Sequence, residues 1–152
     1  MNVVDSSGWI EFFRAGPNGP VFKPVIEDRR HLLVPCIALY EVHRVLARSL
    51  PEEVVTRCLD VMRLGRVLDL TDARAVAAAG VAQRHRLAMA DAIMLAMAQE
   101  FGATLWTQDA DYAGLPGVRY VPKPGAAAPR SRLSPPPRRP SPRAPAASRR
   151  RS

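Results

Sequence analysis

The sequence predicts an α/β protein in which short apolar strands alternate with helices around a mainly parallel sheet. Two observations carry this prediction. Short apolar segments recur along the first 121 residues, and helical spacing of apolar residues fills most of the intervals between them. Capping residues and glycines also stand at several of the expected helix boundaries. These patterns all end at Pro122.

The predicted strands are short and mostly apolar, as is typical of strands in a buried sheet. Proline at position 35 is expected to close the second of them. In chain order they cover Asn2–Val4, His31–Val34, Val67–Leu70, Ala103–Trp106 and Val118–Val121.

The predicted helices carry start and stop signals. Ser49 and Glu52 have the spacing of a capping box, and Thr71 can cap the alanine-rich helix that follows it. Gly65 and Gly102 are expected to stop two helices. In chain order the expected helices span about 6–13, 21–30, 37–48, 50–64, 72–84 and 90–101.

Charge divides the chain in two. Residues 1–122 carry 13 Lys+Arg and 14 Asp+Glu, whereas residues 123–152 carry 9 Lys+Arg and no acid. The second segment also holds eight of the 15 prolines and a single leucine, so it cannot bury enough apolar surface to offset the entropy of ordering. We therefore expect a folded domain over 1–122 and a disordered tail over 123–152. The tail is either an electrostatic arm for nucleic acid or a solvated extension without a selected role.

Composition excludes several classes of protein. No run of about 18 apolar residues occurs, so no membrane span is expected. The N-terminus carries Asp5 and Glu11 and lacks the pattern of a signal peptide. Cys36 and Cys58 fall in apolar segments, so we interpret them as reduced core residues of a cytoplasmic protein.

Four acidic side chains stand where a charge is costly to bury. Asp5 and Asp109 follow predicted strands, and ligands collect beyond the carboxyl ends of parallel strands. Glu41 and Asp91 lie on the apolar faces of predicted helices, and Asp111 follows Asp109 by two residues. Several carboxylates at one sheet edge would repel one another. A hard divalent cation such as Mg²⁺ or Mn²⁺ would make them tenable.

Each acid also has an ordinary structural interpretation. Asp5 could cap the first helix, and Asp91 could cap its own helix. Glu41 could face solvent, while Asp109 and Asp111 could be turn residues. The joint placement and order of the acids favour a common site over five separate roles.

Four sequence blocks carry a family resemblance. They read MNVVDSSGWIEFF at 1–13, VPCIALYEV at 34–42, LAMADA at 87–92 and LWTQDADY at 105–112. In this order they resemble the PIN-domain ribonucleases of the VapC toxin type, and the resemblance covers residues 2–121. The basic tail departs from this family, whose members usually stop soon after the last strand.

The resemblance implies a three-layer α/β/α sandwich with a parallel sheet. It also implies an acidic quartet that binds Mg²⁺ or Mn²⁺, formed by Asp5, Glu41, Asp91 and Asp109. Asp111 would be an auxiliary ligand, and Ser6 and Thr107 match positions that hydrogen-bond around the site. An RNA substrate, a cognate antitoxin and a homodimer are implied as partners.

The reaction expected from these residues is hydrolysis of RNA phosphodiester bonds by a metal-activated water. Basic side chains near the cleft would position the RNA backbone, and the candidates are Arg44, Arg48, Arg84, Arg86 and Arg119. One alternative is a non-catalytic PIN-like module that binds RNA through the basic tail. Another is a metal-dependent DNA nuclease. A receiver-type phosphoacceptor domain would need a lysine after a late strand, and the only lysines are Lys23 and Lys123.

Overall fold

A computed structural model describes residues 1–125, which form a five-stranded parallel sheet with helices on both faces. The strands are β1 (Asn2–Val4), β2 (Leu32–Pro35), β3 (Arg66–Leu68), β4 (Thr104–Thr107) and β5 (Val118–Tyr120). The helices are α1 (Ser6–Phe13), α2 (Gly19–Glu27), α3 (Cys36–Leu46), α4 (Glu52–Met62), α5 (Asp72–His85) and α6 (Met89–Glu100), with a 3-10 turn over Ala110–Tyr112. The predicted α/β class and parallel sheet are confirmed.

Strand β1 is the centre of the sheet, whose order is β3-β2-β1-β4-β5. Asn2 pairs with Leu32 on one side and with Thr104 on the other. The chain therefore builds outwards from β1 in one direction and then crosses back to its other side with β4. The order of the strands reverses between β1 and β4, which is where open parallel sheets bind ligands.

Side chains alternate in direction along each strand, so the hydrophobic core is divided between the two faces of the sheet. Val3 packs in a cluster with Leu33 and residues of α5 and α6, whereas Val4 packs in a second cluster with residues of α1 to α4. Successive side chains of a strand point to opposite faces, so each short strand supplies both clusters. The result is the three-layer α/β/α sandwich that the resemblance implies.

Some helix and strand boundaries differ from those predicted. The capping box at Ser49 is wrong: Pro51 occupies the N-cap position of α4 without a side-chain cap, and the Ser49 N–H donates to the Leu46 carbonyl at the end of α3. Pro35 does not close β2 but belongs to it and pairs with Leu68. Strand β3 ends at Leu68, two residues before the predicted end.

Residues 123–125 are described, and the prediction of disorder for 126–152 lies outside the described residues. Within 1–125, no helix is long and apolar enough to cross a membrane. Cys36 and Cys58 are both free and half-buried.

Candidate active site

Two of the acids meet at the reversal of strand order. Asp5 directly follows β1, and its backbone N–H donates to the carbonyl of Trp106 in β4 at 3.0 Å. Asp109 follows the end of β4 by two residues. Because β1 and β4 are parallel neighbours, both carboxylates lie at the same edge of the sheet.

The Asp5 carboxylate is buried, with 2% of the residue exposed. It accepts hydrogen bonds from the Gly8 N–H at 2.9 Å, the Ser7 hydroxyl at 2.8 Å and the Thr107 hydroxyl at 2.8 Å. Asp5 thus caps α1 as well as lying among the other acids, so the two interpretations of this residue are compatible. Ser7, rather than Ser6, makes the serine contact.

Thr107 connects two acids. Its hydroxyl donates to Asp5 Oδ2 and accepts from the Asp109 backbone N–H at 2.9 Å. Asp109 in turn accepts from the Asp111 N–H at 2.9 Å, which fixes the first residues of the 3-10 turn. Asp109 therefore has the turn role considered from the sequence. Its charge is also close enough to Asp5 to act on that carboxylate.

Asp91 lies in the first turn of α6, whose N-cap position is held by Ala88. It does not cap the helix, although the positive end of the helix dipole favours an acid there. The fully buried Tyr112 places its hydroxyl 3.3 Å from Asp91 Oδ1 and 3.1 Å from the Asp91 carbonyl. The Tyr112 hydroxyl therefore fixes the position of Asp91.

Glu41 lies on α3 and is half-buried. Its Oε2 atom is buried and has no hydrogen-bond partner. A buried carboxylate oxygen without a partner costs free energy, and a nearby cation would offset this cost. The solvent-facing alternative for Glu41 is not adopted.

Burial and mutual repulsion raise the pKa values of two acids. Desolvation raises the pKa of Asp5 to about 7, and the Asp109 charge adds to this effect against the lowering by the three hydrogen bonds. Desolvation also raises the pKa of Asp91 to about 6, with further contributions from Asp109, Glu41 and Asp111. Asp109 therefore acts on both of these acids, while Glu41 and Asp111 act on Asp91.

The chemistry of these donors fits a hard divalent cation. All of them are carboxylate oxygens, their charges repel, and Glu41 leaves a buried oxygen unpaired. Among residues 1–125, however, no three acids are placed closely enough to form a ready-made cage for an ion. Mg²⁺ usually keeps several waters and needs only one or two carboxylates, so an open arrangement of this kind suits it.

The basic residues proposed to position RNA are not paired with the acids in the described part of the chain. Arg44, Arg84 and Arg86 are exposed, and no ion pair within the described part of the chain joins any of them to the five acids. They remain predictions.

Gln108 is a site residue that the sequence analysis missed. It is 6% exposed, its N–H donates to the Ser7 hydroxyl at 3.2 Å, and its side-chain amide donates to the Ser7 carbonyl and to Glu11. A cavity of about 280 Å³ beside it is lined by Ser7, Asp109 and Lys123, among others. The amide gives no signal in the sequence, because its partners are about 100 residues away.

Comparison with known proteins places these features in a family context. A family model described as "PIN domain" matches residues 3–118. No curated protein matches the chain.

Solved structures with a similar fold come from several bacteria. A toxin–antitoxin complex from Klebsiella pneumoniae is 22% identical with a TM-score of 0.66, covering 78% of this chain and 96% of its own. VapC20 from Mycobacterium tuberculosis, a toxin that cleaves the sarcin–ricin loop, is 21% identical with a TM-score of 0.63, covering 78% and 99%. The DNA-bound VapBC of Salmonella typhimurium is 17% identical with a TM-score of 0.64, covering 80% and 98%. At these identities the likeness establishes the fold.

Proposed function

The chain belongs to the PIN domain family, and on that premise we propose that it is a metal-dependent endoribonuclease that acts as the toxin of a toxin–antitoxin pair. One observation carries the proposal most directly. Five acids from four segments of the chain lie around the reversal of strand order, and burial together with the charges of neighbouring acids raises the pKa values of Asp5 and Asp91. Such an arrangement lowers the stability of the fold unless a cation neutralises the charges, and perturbed pKa values of this kind are typical of functional sites.

The residues that would hold Mg²⁺ or Mn²⁺ are Asp5, Glu41, Asp91 and Asp109, with Asp111 as an auxiliary ligand. When bound, the ion supplies an acidified water and neutralises charge on the phosphate. Thr107 and Ser7 orient the Asp5 carboxylate, while Tyr112 orients that of Asp91. Asp5 and Asp91 must each release a proton before acting as ligands, so protons compete with the cation and we expect activity to fall as the pH drops.

The contacts of Ser7 support hydrolysis by water over attack by a side chain. The Ser7 hydroxyl donates to Asp5 and accepts from the Gln108 N–H. It is therefore engaged in holding the site together.

The partners of this activity are also proposals. Solved structures with a similar fold include toxin–antitoxin complexes, so we propose a cognate antitoxin for this chain. The family resemblance of the sequence leads us to propose a homodimer as well. We propose RNA as the substrate because VapC20, which shares the fold, cleaves an RNA loop. A cytoplasmic location follows from such a substrate.

Cleavage of total cellular RNA by the purified full-length chain tests the proposal. Reactions contain Mg²⁺, Mn²⁺ or EDTA, and the same chain is offered single-stranded DNA. The double variant Asp5→Asn, Asp91→Asn is compared with Glu53→Gln, which removes an exposed acid of α4 as a matched control. We expect metal-dependent cleavage of RNA that the double variant loses and the control keeps.

The competing function is the non-catalytic RNA-binding module. The feature that favours it is the basic segment 123–152, which carries nine Lys+Arg and no acid. It would be supported if the folded chain binds RNA and leaves it intact with every metal. Preferential cleavage of DNA would support the DNA nuclease instead.

A further inference from the structure

A cavity of about 280 Å³ lies beside the acids at the ends of β4 and β5. It is lined by Ser7, Gln108 and Asp109, together with Tyr120 of β5 and Lys123. Pockets for small ligands begin at about 300 Å³, so the cavity has the size for a single nucleotide and is too small for a duplex. A proposed metal ligand therefore shares this cavity with an aromatic ring and a cation.

Hydrogen bonds hold the walls of the cavity in place. Gln108 is 6% exposed, and its side-chain amide donates to Glu11 at 3.1 Å and accepts from Asn18 at 3.1 Å. The same amide nitrogen of Asn18 also donates to the carbonyl of Pro122 at 3.1 Å, which fixes the backbone directly before Lys123. Because these groups are already ordered, a ligand that enters the cavity loses little affinity to ordering them.

Lys123 brings a positive charge to this cavity. Its side chain is exposed, and no ion pair joins its ammonium group to an acid within residues 1–125. Lys23, the only other lysine of the chain, lies 3.8 Å from Glu27. A lysine ammonium has three donors on a compact charge, and it binds phosphate oxygens. Lys123 is therefore placed to attract a phosphate next to acids that repel one.

Tyr120 supplies an aromatic surface to the same cavity. Its backbone pairs with that of Thr107, so the residue is fixed beside the end of β4. The residue is half-buried and lines the cavity, which leaves part of it accessible to a ligand. The bases of single-stranded RNA are free to stack on aromatic side chains, whereas those of a duplex are already stacked. The ring and the cation thus match the base and the phosphate of one nucleotide.

We propose that this cavity is a subsite for one nucleotide of the RNA substrate, in which Lys123 binds a backbone phosphate and the Tyr120 ring stacks on the base. The inference rests on the proposed function and adds the place where the strand is held beside Asp109. Neither contact distinguishes one base from another, so the subsite adds affinity for a single strand without selecting its sequence.

Two ligands separate the phosphate contact from the base contact. One is a fluorescein-labelled single-stranded oligoribonucleotide, and the other is an abasic strand with the same number of phosphates. Each is titrated with the full-length chain in EDTA at 50 to 300 mM salt, so that binding is measured without metal-dependent cleavage. The test variants are Lys123→Gln and Tyr120→Leu. Lys23→Gln is the matched control for charge, and Tyr120→Phe is the control that keeps the ring.

We expect Lys123→Gln to bind both strands more weakly and to lower the slope of log K against log salt by about 0.7, the value for one phosphate contact on a single strand. Tyr120→Leu should bind the oligoribonucleotide about fivefold or more weakly, because a stacking contact is lost. Its affinity for the abasic strand should be unchanged, which also shows that the variant is folded. Lys23→Gln and Tyr120→Phe should bind both strands like the wild type.

The result for each variant can overturn the subsite. Wild-type affinity and slope in Lys123→Gln would exclude the phosphate contact. In Tyr120→Leu, either no loss of affinity or an equal loss for both strands would exclude the stacking contact. If both variants bind as expected but no chain cleaves RNA when Mg²⁺ is added, the nuclease proposal fails while the nucleotide subsite is retained.

Discussion

Replacing Asp5 by asparagine should stabilise the protein at neutral pH when divalent cations are removed. The folded state holds the pKa of Asp5 at about 7, against 3.8 for the free group. The native state therefore binds this proton more tightly than the unfolded state does. The free energy of unfolding falls as the pH rises from about 4 to about 7, and it levels off above that range.

The size of the effect follows from the shift in pKa. About three units at 1.36 kcal/mol each give a cost near 4 kcal/mol above pH 8, and about half of it appears between pH 5 and pH 7. Asparagine removes the charge and keeps the shape of the side chain. It loses about 1–2 kcal/mol of hydrogen bonding, because its amide nitrogen faces the hydroxyls of Ser7 and Thr107. We expect a net gain of about 2–3 kcal/mol at pH 8 and almost none at pH 5.

Urea unfolding followed by circular dichroism at pH 5, 6, 7 and 8 in EDTA measures this difference. Glu53→Gln serves as the control, and its profile should follow that of the wild type. Addition of Mg²⁺ at pH 8 should stabilise the wild type and leave Asp5→Asn unchanged. Parallel pH profiles for the wild type and Asp5→Asn would refute the argument that burial and the neighbouring acids penalise this charge.

Three further changes test other parts of the site and fold. Thr107→Val should destabilise the protein by about 1–3 kcal/mol in urea unfolding, because Asp5 loses a buried donor, and Thr107→Ser should restore most of the loss. Tyr112→Phe removes a hydrogen bond that lowers the pKa of Asp91. The acid limb of the rate–pH profile measured with Mg²⁺ should therefore move to higher pH. An unmoved limb would show that Tyr112 does not affect the ionisation of Asp91. Ala15→Gly should raise the free energy of unfolding by about 0.5–1 kcal/mol in the same urea assay, since Ala15 has a φ of 50° that glycine adopts without strain, and a loss of stability would contradict this.

The strands and most helices were predictable because their signals are local. Val3 and Val4 mark a strand buried on both faces, and Thr71 does cap α5 through the Arg74 N–H. The capping box at Ser49 failed for a reason that sequence does not reveal. Helix α4 begins at Glu52, and the N–H groups of Ser49 and Leu50 both donate to the Leu46 carbonyl at the end of α3.

The candidate acids could be picked out from the sequence, whereas the side chains that support them could not. Asp5 and Asp109 follow strands, and this position is visible in the sequence. The choice of Ser7 over Ser6 depends on how the capping turn presents its hydroxyls. The contact of Gln108 with Ser7 spans 101 residues, and no local pattern announces it.

The rate of RNA cleavage by Asp5→Asn, measured over a titration of Mg²⁺, tests the role of the acidic cluster most directly. This variant is expected to be more stable than the wild type at neutral pH in EDTA, so lost activity would not reflect unfolding. We expect its cleavage rate to fall by about 100-fold or more at every Mg²⁺ concentration, while Glu53→Gln cleaves like the wild type. Cleavage by Asp5→Asn at the wild-type rate, or cleavage by the wild type that persists in EDTA, would contradict a metal-dependent nuclease built on these acids.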